Sequence, residues 1–218
     1  MRPTGYGVVY AGLKPWLSAT VVAVVVTGTW WAAGAMAQET PRNERAVDGS
    51  LINQDYFTAN QYPEVTALLS SVEGHHMNKR VWADFYAGRL DGAIGDVKYT
   101  LRRFPNHPQA LQLLGSVARM MKDPALPIRS YEWALNLYPQ YALTHAQYGA
   151  YLASNGQIEG GITRLNRAIE MDPNLAIAHA YLAKALWKKG NKDLARKSAD
   201  RARALGYKGK IVLDDSDE

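Results

Sequence analysis

The 218-residue chain contains no cysteine. That excludes a disulfide framework, a thiolate zinc or iron–sulfur centre, a cysteine nucleophile and a lipid-modified cysteine. Charge is not one-sided: 25 Lys and Arg face 20 Asp and Glu, and the net charge of +5 falls well short of a dedicated nucleic-acid binder. No nucleic-acid partner is expected. The chain also lacks H-E-x-x-H, G-x-S-x-G, a Gly-rich phosphate loop and an EF-hand pattern. No catalytic, cofactor-binding or metal-ligating set is therefore expected, and the chain reads as a non-enzyme. With 47% hydrophobic and 21% charged residues, it has the composition of a globular domain or a short repeat array.

Acidic residues are missing altogether from residues 1–37, where Arg2 and Lys14 are the only cations. From Trp16 to Ala37 runs an apolar stretch that closes on Ala35-Met36-Ala37 before the polar Gln38-Glu39. A positive head, an apolar middle and small residues before a polar start read as a cleaved signal peptide. The competing reading is an uncleaved anchor, since about 20 apolar residues span a bilayer. Trp30 and Trp31 would then sit at the interface and the N-terminus would stay in the cytoplasm. A buried soluble helix is the third reading, but nothing downstream requires one. The first two readings both place the remainder outside the cytoplasm: periplasmic if cleaved, or held on the inner membrane facing the periplasm. Membrane contact is expected only if the segment is uncleaved, and cleavage would leave a charge of +3.

What the chain has in abundance is a period. Pro105, Pro139 and Pro173 are spaced by 34 residues. The same step links Gly88, Gly156 and Gly190, with Lys122 in the missing slot; it links Gly115, Gly149 and Ala183, and Ala134, Ala168 and Ala202. Proline ends a helix and opens the next unit. A mid-unit Gly makes a tight turn between antiparallel helices, and small residues let two backbones approach. Each unit thus reads helix, turn, helix, break.

On these residues the chain resembles the tetratricopeptide repeat family over about residues 74–207. The third unit carries the fullest pattern: Tyr148-Gly149, Leu152, Gly156, Gly161, Leu165, Ala168 and Pro173. The fourth has Tyr207 where proline would fall, the second has Pro127 where a small residue is usual, and the first has Arg80 and Asp84 at apolar slots. The implied fold is all-α: an α-solenoid of about four helix-turn-helix repeats behind an N-terminal signal or anchor helix. The units are 74–107, 108–141, 142–175 and 176–207. Residues 38–73 form a linker and a capping helix after Tyr62-Pro63, and residues 208–218 an acidic tail. Helices are expected near 76–87, 91–103, 108–121, 126–137, 142–154, 158–170, 176–189 and 192–205, with Pro127 delaying the start of its helix. The last helix is charged enough to cap the array.

His145 and His179, one period apart, are either a shared metal or proton-transfer site or imidazoles filling an aromatic packing slot. No carboxylate accompanies them at ligand spacing, which favours packing. His75-His76 falls at the boundary of the first unit, and His107 reads as a turn residue. Asp91 and Asp96 are expected to flank a helix start, where negative charge is favoured.

The resemblance implies that the first helices of successive units line a concave groove for a peptide or helix of another protein. It nominates Asn78, Trp82, Gln112, Ser116, Arg119, Leu143, Ala146, Ile177, Ala180 and Lys184, with a floor polar toward the first two units and apolar toward the last two. The family's carboxylate-clamp pattern of paired Lys and Asn plus a later Lys and Arg is absent. Residues 184–210 hold ten cations against Asp193 and Asp200. Lys188, Lys189, Lys192, Arg196, Lys197, Arg201 and Arg203 thus form a basic end surface, either for an acidic protein, glycan or lipid partner or as a solvated cap. The expected function is a non-enzymatic scaffold or assembly factor of the bacterial cell envelope. The alternative is a membrane-anchored accessory subunit whose basic last repeat meets an anionic surface.

Overall fold

The computed structural model describes residues 44–213; the apolar run before Ala37 and the acidic residues after Leu213 lie outside the described residues. Within them, a 3-10 turn at Ala59–Gln61 precedes α1 (Pro63–His76), α2 (Lys79–Tyr86), α3 (Leu90–Arg103), α4 (Pro108–Met121), α5 (Ala125–Leu137), α6 (Ala142–Ser154), α7 (Ile158–Met171), α8 (Ala176–Lys188) and α9 (Lys192–Ala204). The described residues contain no β-sheet, only an isolated antiparallel bridge between Arg45 and Leu51, and no helix long and apolar enough to cross a membrane.

The helices pair in chain order: α2 with α3, α4 with α5, α6 with α7 and α8 with α9. Three of the four turns place a glycine of the 34-residue series in the left-handed region, Gly88 at φ 73°, Gly156 at 83° and Gly190 at 88°. The fourth places Lys122 there, at φ 56°, a conformation that costs a residue with Cβ about 1–2 kcal/mol. First helices lean on first helices, α4 on α6 and α6 on α8. One core cluster runs from α2 to α6 through Val81, Val97, Leu114, Val117, Tyr131 and Leu152; a second runs from α6 to α9 through Leu165, Ala178, Leu182 and Ala195.

Small residues decide how closely α6 and α7 approach. A Cβ on Gly149 would stand 2.7 Å from Gly161 O, and one on Gly161 would stand 2.6 Å from Gly149 O. The two backbones touch, so neither position admits alanine without separating the helices.

Four local expectations change. The helix expected from residue 76 begins at Lys79, because α1 continues to His76 and the Asn78 side chain then accepts the Arg80 N–H at 2.8 Å as an N-cap. Asp96 does not flank a helix start. It lies inside α3 and joins α1 to α2, 2.7 Å from His76 Nδ1 and 3.0 Å from Arg80. Pro127 does not delay α5, which starts at Ala125: in the first turn a helix needs no amide donor. His107 is more than a turn residue, being fully buried as the N-cap of α4, with Nδ1 accepting the Ala110 N–H at 3.2 Å.

Before α1, residues 44–62 form a strap anchored by long-range polar contacts. Gln54 N–H donates to Arg103 O at 2.7 Å and Tyr56 N–H to Asn106 Oδ1 at 2.9 Å. Asp55 accepts from Asn106 Nδ2 at 2.7 Å, from Phe57 N–H at 3.0 Å and from the Tyr141 hydroxyl. Arg103, itself buried, donates to Leu51 O at 2.9 Å. Leu51, Val65, Val72 and Phe104 supply the apolar side of this junction. Most of these buried polar groups satisfy one another, which makes their burial tolerable, while Arg103 Nε stays without an acceptor.

Candidate functional site

Four first helices, α2, α4, α6 and α8, line a cavity of about 660 Å³. The 34-residue period brings equivalent positions onto its wall. Trp82, Ser116, Ala150 and Lys184 form one row, Leu113, Gln147 and Tyr181 a second, and Ser154 and Lys188 a third. Of the residues nominated from the register, Trp82, Gln112, Ser116, Arg119 and Lys184 lie on this wall.

The others lie elsewhere. Asn78 is occupied as the α2 cap, its amide also donating to Gly74 O at 2.7 Å. Leu143 and Ile177 are half-buried and off the wall, one turn nearer the helix start than Gln147 and Tyr181. Ala146 and Ala180 are buried in the interior. Along the wall, Trp82, Gln112, Ser116 and Arg119 come from the first two units, and Gln147, Tyr151, Tyr181, Lys184 and Lys188 from the last two.

Gln147, Tyr151 and Tyr181 are among the wall residues that the register missed. The period relates residues 113, 147 and 181 to one another without saying which turn of a first helix reaches the cavity. Gln112 Nε2 donates to Tyr181 Oη at 3.2 Å, so α4 and α8 are bridged directly across the groove. Burial pushes the Tyr181 hydroxyl above its ordinary pKa, which keeps it neutral. Tyr151 Oη donates to Pro124 O at 2.9 Å, orienting its ring toward the cavity wall. Gln147 is 5% exposed, its Nε2 donates to Pro108 O at 3.2 Å, and its Oε1 has no hydrogen-bond partner. A buried carbonyl oxygen without a donor costs about 1–3 kcal/mol. Arg119, Lys184 and Lys188 form no ion pair among the described residues.

The basic end is largely engaged with its own neighbours. Lys189 pairs with Glu159 at 2.8 Å, Arg196 with Asp193 at 3.2 Å and Arg203 with Asp200 at 3.0 Å. Arg201 reaches Asn174 at 3.4 Å, and Lys192 and Arg196 lie over the Trp187 ring. Lys197 is exposed, and Lys188 turns into the groove instead.

The two period-related histidines do the same thing. His145 Nε2–H donates to Pro139 O and His179 Nε2–H to Pro173 O, each at 3.0 Å. Each imidazole clips its helix to the turn that precedes it. Burial lowers the His145 pKa, favouring the neutral ring. Among the described residues no group of three His, Asp or Glu side chains is arranged to hold a metal ion.

Residues 149–190 match a family model described as TPR repeat. No curated protein matches the chain. Among solved structures, MamA is 23% identical with a TM-score of 0.45, covering 57% of this chain and 72% of its own. YrrB, described as a TPR protein with an unusual peptide-binding site, is 19% identical with a TM-score of 0.45, covering 69% and 77%. The TPR2B domain of yeast Sti1, in complex with pHsp70, is 24% identical with a TM-score of 0.40, covering 45% and 78%.

Proposed function

We propose that the chain is a non-enzymatic scaffold whose concave groove holds an extended acidic segment of another protein. The observation that carries this reading is the set of cations on the wall of the groove, Arg119, Lys184 and Lys188, none in an ion pair among the described residues. Arg119, Lys184 and Lys188 would then face acidic side chains, while Trp82 and Tyr151 would take an apolar one. The segment lies across four first helices, so one ligand would tie all the units together and stiffen the array.

The test is selection from a displayed library of random peptides, followed by affinity measurement. Selected sequences are expected to be rich in Asp and Glu, and Arg119→Gln is expected to weaken them about tenfold by removing one charge-assisted hydrogen bond. Lys184→Glu is expected to abolish binding with no change in melting temperature. Undiminished affinity in both variants would remove the groove from consideration.

The apolar run between Trp16 and Ala37 supports a site of action in the bacterial envelope, outside the cytoplasm, with that run as signal or as anchor. The mass of the protein isolated from cells and its release from spheroplasts test this location. The second reading, in which the last repeat meets an anionic surface, has less support, because Lys189, Arg196 and Arg203 are in ion pairs and Lys188 turns into the groove.

A further inference from the structure

A second cavity, of about 290 Å³, lies between α3 and α5 on the second helices of their pairs, whereas the groove is built on the first helices. Its charged lining is of one sign: Lys98, Arg102 and Arg129, all exposed, none in an ion pair among the described residues. Between them stands Trp133, 48% exposed, over Leu101 and Leu126. The carboxylates nearby are occupied: Asp48 accepts from Ser50 N–H at 3.0 Å and pairs with Arg103 at 3.9 Å, and Glu44 accepts the Asn53 side-chain amide. An exposed indole ringed by cations over an apolar floor suits the boundary between headgroups and acyl chains, where Trp partitions and Lys and Arg meet phosphate.

The strap says what lies opposite. Asn53 lines this cavity, accepts the Trp133 Nε1–H at 3.3 Å and holds Glu44, the first described residue. The apolar run ends at Ala37, and six residues, 38–43, separate it from Glu44. Six extended residues reach at most about 20 Å. If the run stays in the bilayer, the strap tethers this face within that distance of the headgroups. The cavity is also too small for a peptide and of a size for one headgroup.

We infer that the α3–α5 face docks on anionic phospholipid headgroups, with Lys98, Arg102 and Arg129 meeting phosphates and Trp133 entering the interface. The inference rests on the apolar run remaining in the membrane. It leaves the concave groove free, since that groove is built on the other helix of each pair.

Because the chain has no cysteine, Ser130→Cys creates a unique attachment point for a spin label on this face. The full chain is reconstituted in vesicles of phosphatidylcholine alone or in an equimolar mixture with phosphatidylglycerol, and collision of the label with a water-soluble nickel complex is measured. Phosphatidylglycerol is expected to reduce collision about threefold or more, as electrostatic docking requires. A label at Thr163 on α7 is expected not to respond, and the effect is expected to vanish when Lys98, Arg102 and Arg129 are all changed to Gln. Equal collision in the two vesicles, an equal drop at Thr163 or a drop that survives the charge changes would overturn the inference. Protection in phosphatidylcholine by a glutamate-rich peptide, with none from phosphatidylglycerol, would overturn it in favour of a protein partner. A cellular protein lacking residues 1–37 would remove the tether and overturn it as well.

Discussion

The two halves of the described structure are held together by different physics. In α6–α9 the helices approach until Gly149 and Gly161 touch backbone to backbone, and the contacts are local, each pair leaning on the next. In the first half the array is closed by a strap whose bonds join residues 50 to 86 positions apart, through Asp55, Asn106, Tyr138 and Tyr141. Repetition supplies its own neighbours along the chain; the strap instead joins the end of α3 to the end of α5, through Arg103 and Asn106 on one and Tyr138 and Tyr141 on the other. The lesson is that successive repeats can be tied by a polar network as well as by direct helix contact.

Close packing tolerates no added atom, so the largest effect is expected in the second half. Gly161→Ala places a Cβ against Gly149 O and the Ala153 backbone and should cost about 3 kcal/mol or more. Gly115→Ala, which meets only the Tyr151 ring at 3.1 Å, should be far milder. Urea denaturation of the two variants checks the contrast, and equal losses would break it.

Acid should act on the first half. Burial lowers the His107 pKa from 6.5 to about 4. The unfolded chain therefore takes a proton near 6.5 that the fold refuses until about 4. The stability linked to this neutral ring is complete above 6.5 and is lost as pH falls through 4, amounting to up to about 3 kcal/mol. Glu73 Oε1, 3.3 Å from Nε2, offsets part of the loss once the ring is charged. His107→Asn keeps a capping side chain and cannot titrate, so its urea midpoint should fall less between neutral pH and pH 4. Parallel curves for the two proteins would show that His107 is not responsible.

Asp55→Ala, the smallest of the three, leaves Asn106, Phe57 N–H and Tyr141 without their shared acceptor, a loss of about 2 kcal/mol. Amide hydrogen exchange should quicken in residues 44–62 and α1 while α6–α9 keep their protection. Uniform quickening would mean that the halves are one cooperative unit and that the comparison fails.

Much of the helical frame was legible beforehand because its punctuation is local. Pro105 and Pro139 end helices wherever they stand, and the Gly88, Gly156 and Gly190 slots need a left-handed turn whatever packs around them. The start of α2 was misplaced because the competing signal, the Asn78 cap, lies among residues that suit helix on either side. On the groove wall, Trp82, Ser116 and Lys184 follow from register alone. Gln147 and Tyr181 do not: which turn of a first helix reaches the cavity depends on how α6 leans on α4 and α8, and that angle is absent from any single repeat.

From the order of its residues alone the chain determined that it would be helical, paired and periodic, because turns and breaks are written in backbone chemistry that acts within a few residues. Only the tertiary structure decided that Asp55 would be buried against Asn106 and Tyr141, that Gln147 would keep an acceptor open, and that Lys98, Arg102 and Arg129 would surround Trp133. Those facts depend on which groups of separate helices and of the strap come together, and proximity across dozens of residues of chain leaves no local trace.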